Sequence, residues 1–95
     1  MATPEGRVKA KVSLVLTGNE NTYYDMPVPY GYGKSTLDYI GCNAGRYFAI
    51  ETKASGKLPT DRQKLTMTMM ERAGAKIFVI DGVNGQLEEL QGWLI

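Results

Sequence analysis

The first seventeen residues alternate between apolar and polar side chains in a way that fits two kinds of element. A strand-like alternation runs through Val8, Ala10, Val12, Leu14 and Leu16. At the periodicity of an α-helix, one apolar stripe instead contains Val8, Val12, Val15 and Leu16. Thr3 suits a helix cap and Pro4 the first helical position, so the pattern alone favours neither element. In the helical interpretation Glu5 lies on the apolar face, where a charge is costly unless it is used.

Three short apolar stretches in the middle of the chain predict strands. The first spans residues 22–29 and ends at its prolines, because proline cannot donate to a strand ladder. The next two span residues 37–42 and 46–53. They flank a turn-forming cluster at 43–45, which predicts an antiparallel hairpin.

A helix is predicted after residue 60. Thr60 and Gln63 have the spacing of a capping box, and Gly74 supplies a stop signal. Between them lies an apolar stripe at intervals of four: Leu65, Met69 and Ala73.

The remaining residues predict one strand and one closing helix. Residues 76–80 form an apolar strand, so strand, helix and strand follow one another and predict a right-handed parallel crossover. Residues 84–94 carry a stripe of three leucines with Trp93 beside it, which predicts a short helix. The order of elements therefore predicts a mixed α/β core.

Composition narrows the chemistry more than the fold. The 95 residues are 43% hydrophobic and 22% charged, which is ordinary for a globular domain and excludes a disordered or collagenous chain. The sequence has no histidine and one cysteine, Cys42. Histidine-based triads and nucleases, and zinc sites built on histidine or cysteine, are thereby excluded. Any catalysis must rest on carboxylates and lysine, with or without a hard metal ion.

Charge and hydropathy bear on partners and location. The net charge is only +1, but residues 46–76 contain seven basic and three acidic residues, so positive charge is concentrated in the middle of the chain. No apolar run is long enough for a membrane helix, and the first residues lack the apolar core of a signal peptide. We therefore expect a cytoplasmic protein without a membrane partner.

One predicted strand places an acid and an amine on the same face. Glu51 and Lys53 are two residues apart, so their side chains point the same way. Asp38 lies opposite Glu51 if paired positions in the hairpin sum to 89, and on the other face if they sum to 88. We predict 89, because this register brings two carboxylates together beside an ammonium group.

Two close carboxylates repel one another, and a divalent cation relieves that repulsion. Mg²⁺ prefers oxygen ligands and needs only one or two protein carboxylates. With a lysine beside it, such a site suits hydrolysis of a phosphodiester. The alternative is an exposed cross-strand ion pair of little energetic consequence.

Several stretches occur in a distinctive order along the chain. They are Gly33, Asp38, the strand Gly45-Arg46-Tyr47-Phe48-Ala49-Ile50-Glu51-Thr52-Lys53, then Pro59-Thr60-Asp61-Arg62-Gln63 and Ala73-Gly74-Ala75-Lys76-Ile77-Phe78-Val79-Ile80. Together they resemble the VRR-NUC domains of the PD-(D/E)XK nuclease superfamily over nearly the whole chain. The resemblance implies a single domain over residues 1–95 with a restriction-endonuclease-like α/β core. Its elements would follow the order αβββαβ, with a mixed sheet flanked by helices and the short C-terminal helix added, so the first segment would be a helix.

The resemblance also implies functional roles. The family's pattern of catalytic residues matches, in order, Glu5, Asp38, Glu51, Lys53 and Gln63. Asp38, Glu51 and the backbone carbonyl of Thr52 would hold Mg²⁺ or Mn²⁺, with Glu5 completing or supporting the metal shell and Lys53 positioning the attacking water. Thr36-Leu37 precedes Asp38 where the superfamily's name has a proline. Gln63 has an alternative role as a helix cap, and a first-turn glutamate also complements the helix dipole.

The implied activity is metal-dependent, structure-selective DNA cleavage. The expected substrate is branched DNA such as a Holliday junction, in phage replication, recombination or repair within the host-cell cytoplasm. A homodimer is expected, since two sites about a two-fold axis can cut two strands. The alternatives are a non-catalytic nucleic-acid-binding replication-accessory module with the same fold, and a nuclease directed at RNA.

The candidate contacts to DNA phosphates are basic residues in or near the positively charged middle of the chain. They are Lys34, Arg46, Lys57, Arg62 and Lys64, each with a solvated surface as the alternative. Gly33-Lys34-Ser35-Thr36 is similar to the end of a P-loop, but that motif needs a glycine where Val28 stands. No nucleotide cofactor is therefore expected.

Overall fold

Three helices and four strands form within residues 3–28 and 35–95, the parts of the chain that the computed structural model describes. In chain order they are α1 (Pro4–Thr17), β1 (Thr22–Asp25), β2 (Tyr39–Asn43), β3 (Arg46–Thr52), α2 (Asp61–Arg72), β4 (Lys76–Ile80) and α3 (Gln86–Trp93). The predicted order αβββαβ with a closing helix is confirmed. The strand at 22–29 is shorter than predicted, and β2 begins two residues later.

The first segment is a helix, which resolves the ambiguity in its pattern. Thr3 caps it, because its Oγ1 accepts a hydrogen bond of 2.9 Å from the Gly6 N–H, and proline occupies the first turn. One face of α1 is buried through Val8, Val12 and Leu16. The alternating Leu14, which a strand would bury with them, is 75% exposed.

The hairpin between β2 and β3 has the predicted register. The strands are antiparallel with Tyr39 opposite Ile50 and Asn43 opposite Arg46, so paired positions sum to 89. Its two-residue turn is Ala44-Gly45, with φ values of 49° and 83°. A turn with two positive φ angles matches the twist of the flanking strands. Asp38, directly before β2, therefore lies level with Glu51.

The sheet has the order β1-β2-β3-β4, and β3 is parallel to β4, so the sheet is mixed and β3 is an interior strand. Helices α1 and α3 cover one face, where the core contains Val8, Val12, Leu16, Tyr39, Phe48, Ile50, Phe78, Ile80 and Leu90. On the other face a smaller cluster contains Leu37, Ala49 and Met67 of α2. None of the three helices combines the length and apolar content of a membrane span, which holds for residues 3–28 and 35–95.

Helix α2 begins as predicted but buries a different face. Both hydrogen bonds of the capping box between Thr60 and Gln63 are present. The buried residues are Thr66 and Met67, whereas the apolar stripe predicted from the sequence lies outward, with Leu65 62% exposed. Gln63 lies one turn before Thr66 and Met67, so this rotation of α2 turns it toward the sheet.

Candidate active site

Asp38 and Glu51 meet at the end of the hairpin, as the register requires. The Asp38 N–H donates to Glu51 Oε1 at 3.3 Å. The Glu51 side chain lies on an interior strand beneath α2 and the residue is 3% exposed. A buried carboxylate needs partners that compensate for lost hydration, so its neighbours define the chemistry of this place.

Asp38 is fixed by Thr52, the last residue of β3. Asp38 Oδ2 accepts hydrogen bonds from the Thr52 N–H at 2.9 Å and from Thr52 Oγ1 at 2.7 Å. Charge-assisted bonds of this kind hold a carboxylate in one orientation. The family resemblance implied a role for the Thr52 carbonyl only. The positioning of Asp38 by the Thr52 hydroxyl and N–H was not predicted.

Two further predicted residues contact Glu51. Lys53 Nζ lies 3.7 Å from Glu51 Oε2, and Gln63 Nε2 donates to the same oxygen at 2.6 Å. The other end of the Gln63 amide accepts a hydrogen bond from the Thr60 N–H at 2.9 Å. Gln63 thus caps α2 and binds Glu51 at once, so the two roles considered for it are compatible.

The electrostatic balance of the pair favours a bound cation. Burial raises the pKa of the Glu51 carboxyl, and the negative charge of Asp38 raises it further, while Lys53 and the Asp38 N–H oppose the shift. Glu51 therefore ionises less readily in the folded chain than it would when exposed to water. An added positive charge between the two carboxylates would offset this penalty.

Glu5 lies at the edge of the same cluster and is paired with a lysine that the sequence did not single out. Lys9 Nζ donates to Glu5 Oε2 at 2.9 Å and lies 3.9 Å from Asp38 Oδ2. Burial alone would lower the pKa of the Lys9 amine, but its hydrogen bond to Glu5 and the charges of Asp38 and Glu5 outweigh burial and raise it. The four-residue spacing of Glu5 and Lys9 was visible, but it is typical of any exposed helix.

The donor set fits a hard divalent ion held by few protein ligands. Within residues 3–28 and 35–95, no three acidic, histidine or cysteine side chains are close enough together to hold a metal ion between them. Asp38 and Glu51 are nevertheless adjacent carboxylates with a surplus of negative charge, and Mg²⁺ needs one or two carboxylates with water filling its other positions. Glu5 could join such a shell only if it gave up Lys9.

The candidate DNA contacts have different surroundings. Arg46 lies at the start of β3, about 17 Å along the strand from Glu51. Its guanidinium lies 3.9 Å above the Trp93 ring and donates to Asn43 Oδ1 at 2.7 Å. Arg46 therefore packs the C-terminal helix against the hairpin. Its contacts within the described residues do not include the carboxylates of the candidate site.

Of the other basic candidates, three lie in the first turn of α2 or in the loop before it, and one lies outside the described residues. Lys57 and Lys64 are exposed, in the loop before α2 and in its first turn. Arg62 Nε donates to Ser35 Oγ at 3.0 Å, so Arg62 joins α2 to the segment that leads to Asp38. Lys34 falls outside the described residues.

A solved structure described as a VRR_NUC domain superposes on this chain with a TM-score of 0.80. The match covers 99% of this chain and 100% of that one, at 20% sequence identity. The chain has the VRR-NUC fold. No model of a protein family matches the sequence, and neither does any curated protein.

The VRR-NUC fold agrees with the resemblance suggested by the sequence motifs. Agreement over essentially the full length of both chains fixes the α/β architecture and the place of each element. A shared fold leaves the chemistry to be argued from the site itself. That argument rests on the buried carboxylate of Glu51 and the side chains around it.

Proposed function

We propose that this chain is a metal-dependent nuclease that hydrolyses phosphodiester bonds of DNA. The observation that carries the proposal is the buried carboxylate of Glu51, beside Asp38 and in contact with Lys53 and Gln63. A buried acid with a raised pKa and an adjacent lysine is typical of functional sites. Support also comes from the VRR-NUC fold of the chain. The resemblance of the sequence motifs to that family implies catalytic roles for these same residues.

The proposed roles follow from charge and position. Asp38, Glu51 and the Thr52 carbonyl would hold Mg²⁺ or Mn²⁺, and Thr52 would keep Asp38 oriented through the two hydrogen bonds it donates. When bound, the ion supplies Lewis acidity and positive charge for attack on a phosphodiester. Lys53 would orient the attacking water and offset charge developing on phosphate oxygens. Gln63 would keep Glu51 directed toward the ion.

We further propose branched DNA as the substrate and a homodimer as the active form. Two sites related by a two-fold axis would cut opposite strands of a four-way junction symmetrically. Phage replication, recombination or repair in the cytoplasm of the host is the proposed setting. Light scattering of the purified chain tests the dimer directly, and a monomer at micromolar concentration would contradict it.

The test of activity is cleavage of labelled four-way-junction, flap and linear duplex DNA with Mg²⁺ or Mn²⁺. Lys53→Met keeps the apolar stem and removes the ammonium, and Glu51→Gln keeps the shape and removes the charge. We expect each to reduce cleavage at least 100-fold. Lys11→Met, on the exposed side of α1, is the matched control and should cut like the parent.

Two results would contradict the proposal. The first is absence of cleavage of any DNA by a folded protein in the presence of metal. The second is cleavage that survives both Lys53→Met and Glu51→Gln. Ca²⁺ separates cutting from binding: a nuclease should bind DNA in Ca²⁺ and resume cutting in Mg²⁺, whereas a non-catalytic binding module would bind in both and cut in neither.

A further inference from the structure

Lys9 occupies a central position among the acidic residues. It lies on α1, one turn after Glu5, and its ammonium group reaches two carboxylates from different parts of the chain. Nζ is 2.9 Å from Glu5 Oε2 and 3.9 Å from Asp38 Oδ2. The side chain is 32% exposed, so the ammonium is partly withdrawn from water.

The backbone of Lys9 is tied to the strand that follows Asp38. The Tyr39 hydroxyl donates to the Lys9 carbonyl at 2.9 Å and is also hydrogen-bonded to Ser13 Oγ at 2.7 Å. Tyr39 is fully buried, so this connection between α1 and β2 is part of the core. The root of the Lys9 side chain is therefore held at a constant place relative to Asp38.

The carboxylate cluster is thus supplied with a cation of its own. Lys9 contacts Glu5 and Asp38 on one side, and Lys53 contacts Glu51 on the other. Lys53 lies two residues after Glu51, but Lys9 comes from a separate helix, binds Glu5 and also lies beside Asp38 Oδ2, an oxygen of a proposed metal ligand. Two cations cannot share that oxygen without strong repulsion.

We propose that Lys9 is a built-in counter-ion of this site, which a divalent cation must displace from Glu5 and Asp38 in order to bind. This inference rests on the proposed metal-dependent function. Lys9 is a positioning residue: it offsets part of the negative charge of the acidic cluster before the metal arrives, and it lowers the affinity for metal because its ammonium lies beside the Asp38 carboxylate. When the ion binds, the ammonium swings away from Glu5 toward solvent.

Direct measurement of Mn²⁺ binding by isothermal titration calorimetry tests the competition. We expect Lys9→Met to bind Mn²⁺ about tenfold more tightly than the parent, since a partly exposed, flexible ammonium weakens metal binding by less than its full Coulomb repulsion. Lys11→Met removes the same charge from the exposed side of α1 and should bind like the parent. Equal or weaker binding by Lys9→Met would overturn the inference.

The failure of the inference can be told from failure of the proposed function. If the parent binds Mn²⁺, Asp38→Asn loses it and Lys9→Met binds like the parent, the metal site stands and the role of Lys9 is wrong. If neither the parent nor Lys9→Met binds Mn²⁺, both the metal site and the counter-ion role are wrong.

A second measurement uses the unaltered protein, so it does not depend on how Lys9→Met folds. Acetylation of Lys9 by a limited amount of an amine-reactive ester, followed by mass spectrometry, reports how far the amine is shielded by Glu5. We expect Mg²⁺ to increase the labelling rate of Lys9 at least threefold and to leave Lys11 unchanged. A labelling rate at Lys9 that is unchanged or reduced by saturating Mg²⁺ would contradict displacement.

Discussion

At the scale of single residues, the stability of the metal-free site depends on Glu51. Its pKa is raised by burial and by Asp38, so the folded chain binds a proton at Glu51 more tightly than the unfolded chain does. Ionisation of Glu51 therefore costs stability. The loss begins as the pH rises through the ordinary value near 4.5 and is complete above the raised value.

The pH dependence of unfolding tests this sign. In the presence of EDTA, the free energy of unfolding of the parent should fall relative to that of Glu51→Gln as the pH rises from 4 to 7, because only the parent acquires the buried charge. Urea denaturation at a series of pH values measures the difference. Saturating Mg²⁺ at pH 7 should recover much of the loss in the parent and none in Glu51→Gln. A difference that is independent of pH would show that Glu51 has the same pKa in both states.

Gln63 offers a second test, because its two contacts can be separated. Gln63→Glu preserves a capping box but places a carboxylate against Glu51 where the amide N–H donated. We expect the free energy of unfolding in EDTA to fall by about 1–3 kcal/mol, since a hydrogen bond to a buried charge is replaced by repulsion. Thr60→Ala, which removes the cap and leaves Gln63 in place, should cost about 1 kcal/mol. If Gln63→Glu is as stable as the parent at pH 7, its contact with Glu51 contributes nothing.

At the scale of elements, helix α2 has an apolar outer face as well as an apolar inner one. Met67 is 8% exposed and packs with Leu37 and Ala49, whereas Met69 is 48% exposed. Together with Leu65, Met69 lines a groove of about 480 Å³ along the outside of the helix. The groove does not include the carboxylates.

Two identical substitutions on α2 distinguish its faces. Met67→Ala should lower the free energy of unfolding by about 2–5 kcal/mol, because it leaves a cavity in the core. Met69→Ala should lower it by less than about 1 kcal/mol, because about half of the residue is exposed and alanine has the higher helix propensity. Equal losses in chemical denaturation would mean that α2 is rotated from the orientation that brings Gln63 to Glu51.

These elements also show what local sequence patterns can and cannot predict. The start of α2 was predicted from its capping box, because a cap depends only on neighbouring residues. The hairpin register was predicted from the pairing of charged side chains that it produces, and the structure shows that the two-residue turn Ala44-Gly45 accompanies it. The inner face of α2 could not be predicted, because the helix has apolar side chains on more than one face. Which face is buried depends on how the helix packs on the sheet. For the same reason, the proximity of Lys9 to Asp38 could not be predicted from the sequence. It depends on how α1 packs against the sheet.

At the scale of the whole molecule, the C-terminus is closed onto the hairpin. Asn43 is fully buried, accepts a hydrogen bond from the Ile95 N–H at 2.8 Å and donates to Thr22 Oγ1 at 2.8 Å. The Trp93 ring packs edge-on against Phe48 and Phe78. Arg46 covers the same ring, so several elements distant in sequence are joined at the end of the sheet away from Glu51.

This closure explains why a basic residue in the positively charged middle of the chain need not contact DNA. The Arg46 guanidinium donates to Asn43 Oδ1 and to the Trp93 carbonyl, and it stacks on the indole ring. Both hydrogen bonds come from Nη2, so this nitrogen and the stacked face of the guanidinium are directed at the protein. Lys57, by contrast, is exposed in the loop that leads from β3 to α2.

Arg46 and Lys57 should therefore differ in two measurements, each made with Ca²⁺ so that no cleavage intervenes. Lys57→Met should reduce the slope of log K for DNA binding against log salt concentration by about one, because one phosphate contact is lost, and leave unfolding unchanged. Arg46→Met should leave that slope unchanged and lower the free energy of unfolding by about 1–3 kcal/mol, because Asn43 Oδ1 and the Trp93 carbonyl each lose one donor and the indole loses its cover. If Arg46→Met instead reduces the slope with no loss of stability, its guanidinium serves DNA and the C-terminal closure stands without it.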